Sequence, residues 1–372
     1  MLYTNAILFT PEGRFRRGGF RVENGRFTEL ILDEASEGED LRGALVLPGL
    51  VDMHIHGCAG ADFSDGEAGG LMAMGRFLAA RGVTSFCPAA MTLPFDRLRQ
   101  AFAFGTAYGE RRPPDGARLV GMRMEGPFLS EKKRGAQRAD WLRAPDIDFF
   151  ETLYADAGGR ISVVDLAPEL PGALPFLRAV EGRCLVSLGH TQVEYDGAVA
   201  AFEGGARHLT HLFNAMPSLL HRAPGPIAAA AEREDVSAEI IADGVHVHES
   251  MVRLAFRLFP GRLALISDAV RCLGLDDGVY ELGGQSIALQ GNRASLPDGT
   301  IAGSATDLFA CLQNAVRWGI PREQAIAAAT AVPARILGRR DIGVIQPGAW
   351  ADFVLCDEEL EPKAVYLGGR RI

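Results

Sequence analysis

The sequence predicts an α/β protein, a (β/α)8 barrel of the TIM type, with a small β-sandwich domain formed by the two chain ends. Three observations lead to this prediction. Eight strand-like segments alternate with helix-like ones, most of these strands end in a polar or ionisable residue, and both chain ends contain only short strand-like pieces. Such an alternation requires a parallel sheet, and eight units can close into a barrel. An open doubly wound sheet is the alternative fold, and ligand-type residues converging at the strand ends favour the barrel.

The first barrel strand is predicted within residues 44–57, ALVLPGLVDMHIHG, which end in Asp52, His54 and His56. A short apolar run bounded by Pro-Gly and Gly57 is typical of a strand buried on both faces. Residues two apart in a strand point the same way, so both histidines can bind one metal ion. Taken alone, the pair could also be a chance occurrence.

The alternation continues through seven more strands and their crossover helices. Strands are predicted over residues 83–87, 118–124, 161–166, 184–189, 206–210, 238–242 and 263–267. Helices are predicted over residues 69–81, 95–108, 141–157, 174–181, 194–203, 227–234 and 251–258. Turn signals within 278–304 predict a β insertion, and helices follow over 306–318 and 321–337. We expect a small β domain of residues 1–43 plus 341–372 and a barrel domain of residues 44–340.

Composition restricts the partners and the compartment. A net charge of −9 argues against general binding to nucleic acid or to a membrane surface. The six cysteines lie far apart, without a Cys-x-x-Cys pair, and no apolar run is long enough to span a bilayer. These features predict reduced thiols and a cytoplasmic location.

In a barrel of this kind the active site lies at the C-terminal ends of the strands. The residues expected there are His54, His56, Glu125, His190, His211, Asp243, His246 and Asp268. Imidazole and carboxylate ligands without a thiolate suit Zn²⁺, Fe²⁺, Mn²⁺ or Co²⁺, and two ions bridged by Glu125 are one arrangement. Asp268 could exchange a proton with a reacting water, or it could simply cap the following turn.

Seven segments carry a resemblance to a known family. They are LPGLVDMHIHG at 47–57, MEGPFL at 124–129, SLGHT at 187–191, THLFNAM at 210–216, IADGVH at 241–246, SDAV at 267–270 and GTIAGS at 299–304. Together they resemble the N-acetylglucosamine-6-phosphate deacetylases of the amidohydrolase superfamily over nearly the whole chain.

The resemblance implies roles for individual residues. Glu125, His190 and His211 would hold one metal ion, His54 and His56 a second, and Asp268 would be the catalytic base and then acid. The metal would be Zn²⁺ or Fe²⁺, with one or two ions per chain. Substrate contacts would come from Ala136, Gln137, Asn214, Ala215, Arg222, Asp243, Gly244, Val245, His246, Ile301, Ala302 and Gly303. His246 could contact either the oxyanion or the sugar.

The implied activity is deacetylation of N-acetyl-D-glucosamine 6-phosphate by a homodimer in which Arg222 reaches the partner's site. Many members have His where this chain has Gln137, which leaves the galactosamine epimer as an alternative substrate. Another amidohydrolase activity, such as that of a deaminase or cyclic amidase, is a second alternative. A non-catalytic scaffold is a third, but no ligand of the set is missing.

Overall fold

The computed structural model describes residues 1–32 and 38–372. Its central sheet is a nearly closed parallel barrel, which confirms the predicted fold class, and each strand pairs with the next along the chain. The barrel strands 1 to 8 are Leu50–Ile55, Val83–Ala90, the pieces Arg118–Leu119 and Met122–Met124, Ile161–Leu166, Leu185–Leu188, His208–Leu209, Ser237–Ile241 and Leu263–Ile266. Hydrogen bonds join the end of strand 8 to strand 1: Asp268 N donates to His54 O at 2.9 Å, and Ser267 Oγ donates to Asp52 Oδ2 at 2.6 Å.

Helices surround the barrel and bury their apolar faces against it. Every residue of strands 1 and 2 is buried, as expected for strands covered on both faces. The helices are Ala68–Ala80, Phe95–Glu110, Ile147–Asp156, Ala173–Ala179, Tyr195–Glu203, Gly225–Ala231, Glu249–Leu258, Leu308–Arg317, Arg322–Ala329 and Ala331–Ile336. Across the described ranges, none of these helices combines the length and apolar character that crossing a membrane requires.

Two predicted helices differ from the structure. The helix expected over 141–157 begins only at Ile147, because the side chain of Asp146 caps its first turn by accepting a hydrogen bond from Phe149 N at 3.0 Å. The helix expected over 321–337 is two helices, because Thr330 leaves the helical conformation with φ −133° and ψ −88°. Both differences lie in connections and leave the barrel intact.

The chain ends form one mixed sheet, which curls around an aromatic core. In spatial order its strands are Arg370–Arg371, Pro362–Leu367, Phe353–Cys356, Leu45–Pro48, Leu2–Phe9, Phe15–Glu23 and Arg26–Ile31, and Glu39–Asp40 pairs with Leu2–Phe9. The rings of Tyr3 and Phe20 stack at 5.0 Å, and those of Phe353 and Tyr366 at 4.3 Å. Ala351 N donates to Gly25 O at 2.9 Å, which draws the two ends of the sheet together. The two layers of the predicted sandwich therefore belong to a single sheet.

The predicted domain bounds assign the apolar run before Pro48 to the barrel domain. Leu45–Pro48 belongs to the mixed sheet, antiparallel to Phe353–Cys356, and only Leu50–Ile55 enters the barrel. Pro48 and Gly49 thus separate two strands of different sheets. We propose that the boundary between the two domains lies at Gly49 rather than at residue 44, and the boundary at residue 341 stays a prediction.

A four-stranded antiparallel sheet follows strand 8, as the turn signals predicted. Its strands are Gly278–Leu282, Gln285–Gln290, Arg293–Ser295 and Ile301–Ser304. Gln285 Nε2 donates to Ala136 O at 2.6 Å, so this insertion packs against the loop that follows strand 3. The insertion therefore forms one wall of the barrel mouth.

Candidate metal centre and active site

Six ligand-type side chains converge at the C-terminal ends of the barrel strands. We call them the ligand cluster: His54, His56, Glu125, His190, His211 and Asp268. They form two groups, and within each group the ligand atoms lie within 4.8 Å of one another. One group is His54, His56, Glu125 and Asp268, and the other is Glu125, His190 and His211. Since Glu125 belongs to both groups, it can bridge two ions.

The Glu125 carboxylate lies at the centre of the ligand cluster. Its Oε1 is 3.3 Å from the Nε2 atoms of His54, His190 and His211. Its Oε2 is 3.2 Å from His56 Nε2 and accepts a hydrogen bond from Gln137 Nε2 at 2.7 Å. Burial raises the pKa of Glu125, but the neighbouring His56 and His54 lower it by a larger amount, so the pKa lies well below its usual range. The carboxylate is therefore ionised and available as a ligand.

The electrostatics of the histidine pair indicate a site built for positive charge. Burial and Arg123 lower the pKa of His54, but Glu239, Asp268 and Glu125 together raise it to about 9. Burial also lowers the pKa of His56, yet Glu125 and Asp268 raise it well above its usual value. The carboxylates around the two rings thus favour positive charge at this position, and a divalent cation can supply it.

Two atoms that point into the ligand cluster have no hydrogen-bond partner among the described residues. They are His54 Nε2 and Asp268 Oδ1, both fully buried. Asp268 Oδ1 lies 3.5 Å from His54 Nε2 and 3.3 Å from His56 Nε2. A buried polar atom without a partner is costly, so it indicates a missing ligand. The donor set and these atoms fit a divalent metal ion.

The strand ends place these ligands by turning sharply. His190, His211 and Asp268 end strands 5, 6 and 8, and all three have left-handed φ angles of 46°, 26° and 47°. Non-glycine residues rarely adopt this conformation, and it recurs at functional sites. Before His190 the chain has Gly189, where a Cβ would lie 2.6 Å from Thr210 Cβ on the next strand. Glycine is therefore required for the close approach of strands 5 and 6.

The outer nitrogens of the histidine rings have different partners. His54 Nδ1 lies 2.7 Å from Glu239 Oε1, whereas His56 Nδ1 and His190 Nδ1 donate to the backbone oxygens of Ala89 and Lys133 at 3.0 and 2.8 Å. A donor proton on the outer nitrogen leaves Nε2 free to bind a metal. These contacts orient three of the four rings towards Glu125.

A cavity with a volume of about 340 Å³ opens above the ligand cluster. Seven of the predicted substrate residues line it: Ala136, Gln137, Asn214, Ala215, His246, Ile301 and Gly303. The remaining five are Arg222, Asp243, Gly244, Val245 and Ala302, and they do not line it. Asp243 holds the lining residue His246 in place. Its Oδ2 lies 2.7 Å from His246 Nδ1, and its Oδ1 accepts a hydrogen bond from His246 N at 2.9 Å.

Comparison with known proteins fits this geometry. Residues 45–372 match the amidohydrolase family. The chain belongs to this family. An N-acetylglucosamine-6-phosphate deacetylase from Bacillus subtilis (strain 168) is 40% identical over 314 residues, covering 82% of this chain and 79% of that enzyme. The Homo sapiens N-acetylglucosamine-6-phosphate deacetylase is 33% identical over 380 residues, covering 97% of this chain and 92% of that enzyme.

A solved relative contains a ligand. It is a mutant N-acetyl-D-glucosamine-6-phosphate deacetylase from Mycobacterium smegmatis in complex with N-acetyl-D-glucosamine-6-phosphate. It superposes on this amidohydrolase with a TM-score of 0.94 and 31% identity, covering 100% of this chain and 98% of that one. The whole fold, including the mixed sheet and the insertion, is therefore shared.

Arg222 lies outside the cavity of this amidohydrolase. It is exposed, and its Nη1 is 2.7 Å from His221 Nε2 in the loop after strand 6. Leu220 in the same loop is 56% exposed. Among the described residues this arginine has no hydrogen bond or ion pair with the ligand cluster.

Sequence reasoning missed several residues of the site. Lys132, Lys133 and Thr300 also line the cavity. Below the ligand cluster lies a second set of buried ionisable residues that we call the charge network: Arg123, Asp165, His208 and Glu239. The sequence contained a sign of this charge network, because each of these ionisable residues interrupts or borders an otherwise apolar strand. A charge buried there needs a partner of opposite charge.

Proposed function

We propose that this amidohydrolase hydrolyses the acetamide bond of N-acetyl-D-glucosamine 6-phosphate to give D-glucosamine 6-phosphate and acetate, a step of amino sugar metabolism. The observation that carries the proposal is the ligand cluster, which forms the floor of a cavity large enough for a small sugar. The choice of substrate is supported by the Bacillus subtilis and Homo sapiens relatives and by the sugar phosphate in the Mycobacterium smegmatis complex.

We also propose the division of the metal ligands. Glu125, His190 and His211 would hold one divalent ion, and His54 and His56 together with Glu125 would hold a second. Nitrogen and oxygen ligands suit Zn²⁺ or Fe²⁺. When bound, the ion supplies a Lewis acid for the acetamide carbonyl and lowers the pKa of the attacking water.

Asp268 is the proposed catalytic acid and base. Burial raises the pKa of Asp268, but the neighbouring His54 and His56 lower it by a larger amount. The pKa therefore lies below its usual value, and the carboxylate is ionised. Asp268 lines the cavity, with its Oδ1 3.3 Å from His56 Nε2 and 3.5 Å from His54 Nε2. Oδ1 takes a proton from the attacking water and then delivers it to the nitrogen of the leaving amine.

The lining residues bind the sugar phosphate. Asn214 and Ala215, which follow His211, are proposed to bind the phosphate, and the Ile301–Gly303 segment and Ala136 to contact the sugar. His246 lines the cavity and is held by Asp243, and its ring can donate to the sugar or to the developing oxyanion.

The phosphate site is proposed to be completed by a second subunit. Arg222 is exposed in the loop after strand 6, beside the exposed Leu220, and its guanidinium can bind phosphate with two parallel hydrogen bonds. We propose a homodimer in which this loop reaches the neighbouring cavity. Replacing Arg222 by Ala should raise KM for the 6-phosphate sugar about 10- to 150-fold, from a charge-assisted contact of ~1.5–3 kcal/mol.

Mixed dimers test the contact across subunits. Arg222→Ala chains mixed with Asp268→Asn chains should recover part of the activity, because one site of each mixed dimer has both groups. Unphosphorylated N-acetylglucosamine should show almost no penalty in Arg222→Ala. An equal penalty on both sugars would make Arg222 structural, and failure of rescue in confirmed mixed dimers would place its contact within its own subunit.

The galactosamine epimer is the second candidate substrate, because Gln137, which could distinguish the epimers, makes hydrogen bonds within the protein through both its amide oxygen and its amide nitrogen. Its Oε1 accepts from Thr92 N at 2.7 Å, while its Nε2 donates to Glu125. The side chain therefore holds Glu125 and has little freedom to select a sugar hydroxyl.

One experiment tests the activity. Protein stripped of metal and reloaded with Zn²⁺ or Fe²⁺ should release acetate from N-acetylglucosamine 6-phosphate, with the galactosamine epimer and the unphosphorylated sugar as comparisons. Faster release from the galactosamine epimer would reverse the preference. Ammonia release or ring opening of a cyclic amide, without acetate release from either sugar, would instead support another amidohydrolase reaction.

A further inference from the structure

Glu239 lies directly behind one of the ligand histidines. It is in strand 7, Ser237–Ile241, and its side chain is fully buried. Its Oε1 lies 2.7 Å from His54 Nδ1 and accepts a hydrogen bond from His211 N at 3.2 Å. One carboxylate oxygen thus contacts the ring of one ligand and the backbone of another.

The rest of the charge network fixes the position of Glu239. Arg123 Nη1 donates to Glu239 Oε2 at 2.7 Å, and Arg123 Nε and Nη2 each donate to Asp165 at 2.7 Å. His208 Nε2 lies 3.1 Å from the same Glu239 oxygen. These contacts leave the Glu239 carboxylate no freedom to turn away from His54, so Glu239 is an immobilised acceptor.

His54 differs from the other three histidines in this respect. His56 and His190 donate to neutral backbone oxygens, and His211 Nδ1 has no partner among the described residues. A carboxylate acceptor holds the proton on Nδ1 and raises the basicity of the opposite nitrogen more than a carbonyl does. The opposite nitrogen, His54 Nε2, has no hydrogen-bond partner among the described residues and faces Glu125 and Asp268.

We propose that Glu239 is a positioning residue for the metal site. It holds His54 in the Nδ1–H tautomer, so that Nε2 faces Glu125 and Asp268 and would be free to bind an ion, and Arg123 holds Glu239 in place. The inference rests on the proposed binding of an ion by His54 and His56. It explains why a carboxylate and a guanidinium are buried together beneath the ligand cluster.

Metal affinity provides the first test. Glu239→Gln keeps the shape of the side chain but removes its charge, so Co²⁺ affinity, measured by chelator competition and by the Co²⁺ absorption spectrum, should fall about 10- to 100-fold. Asp165→Asn is the matched control, since it removes an equal charge from the far side of Arg123 without touching His54. It should retain wild-type Co²⁺ affinity, even if both variants melt at lower temperature.

A double-mutant cycle separates an effect through His54 from a general loss of structure. In a His54→Ala background, Glu239→Gln should cause no further loss of Co²⁺ affinity. An equal loss in both backgrounds would overturn the proposal. If wild type and His54→Ala had equal Co²⁺ affinity, His54 would bind no ion, and the role of Glu239 would be overturned with it. Acetate release, measured in parallel, tests the proposed reaction separately.

A third measurement is made on the wild-type protein, and His54→Ala serves only to assign the signal. In Zn²⁺-loaded wild-type protein with ¹⁵N-labelled histidines, His54, identified by the signal missing from His54→Ala, should carry its proton on Nδ1. That proton should lie further downfield than the ring protons of His56 and His190, because its acceptor is a carboxylate. A proton on Nε2 of His54 would overturn the proposal.

Discussion

The charge network and the ligand cluster lie in adjacent layers of the barrel and satisfy their charges in different ways. In the charge network every nitrogen of the Arg123 guanidinium donates to a buried acceptor. In the ligand cluster His54 Nε2 and Asp268 Oδ1 have no partner among the described residues. Paired buried charges hold a structure in one conformation, whereas converging unpaired ones lower stability until a ligand binds. The difference separates residues that support the site from residues that act in it.

The largest expected effect is on catalysis by the ligand cluster. Asp268→Asn keeps the shape of the side chain but cannot accept a proton, so acetate release should fall about 10³-fold or more, in the upper range for general acid–base groups. Metal content by elemental analysis should stay nearly unchanged. Asp115→Asn, at an exposed carboxylate, is the control. Near-normal turnover in Asp268→Asn would remove this residue from the mechanism.

Disrupting the charge network should lower the stability of the protein. Arg123→Met leaves Asp165 and Glu239 buried without their cation, so the free energy of unfolding should drop by about 3–5 kcal/mol. Urea unfolding monitored by circular dichroism measures this change. A loss below about 1 kcal/mol, the range of surface pairs, would show that the network does not hold the barrel together.

The next prediction concerns the division of the ligand cluster. Replacing His54 and His56 together by Ala should reduce the metal content from about two ions per chain to about one, because the Glu125, His190 and His211 group is complete without them. Elemental analysis of protein purified without added metal gives the count, and some acetate release should remain. Loss of all metal would assign the pair to the primary site.

The smallest effect is expected at the surface. The Arg76–Asp115 pair has its two side chains 54% and 52% exposed, with Arg76 Nε 2.9 Å from Asp115 Oδ2. Arg76→Ala should change the free energy of unfolding by at most about 1 kcal/mol. A loss comparable to that of Arg123→Met would mean that burial does not decide the strength of ion pairs in this protein.

The two layers also differ in how far the sequence predicts them. The ligand cluster follows from a positional rule, since each member ends a barrel strand and such ends meet at one mouth. The charge network follows from no such rule, because its pairs depend on the register of strands distant in the chain. Arg123 and Asp165 lie on neighbouring strands 3 and 4, but Glu239 comes from strand 7 across the barrel interior. A lone Arg123 within an apolar strand signals a partner without identifying it.

Errors in the fold prediction have a related cause. The run from Leu45 to Val51 is apolar throughout, and hydrophobicity does not show that Pro48 and Gly49 transfer the chain from one sheet to another. The role of Gln137 was equally hidden, because its partners Thr92 and Glu125 meet only in the folded chain. Local patterns identified the elements, and long-range contacts decided their partners.

The left-handed backbone at His190, His211 and Asp268 has a consequence for protein engineering. Such conformations cost on the order of 1–3 kcal/mol each in non-glycine residues, and glycine would adopt them freely. A library screened only for heat resistance would therefore enrich glycine or asparagine at the positions of two proposed metal ligands and the proposed catalytic acid. Selection for a robust catalyst from this scaffold has to score turnover in every round, since the most heat-resistant variants would be those that have lost the site.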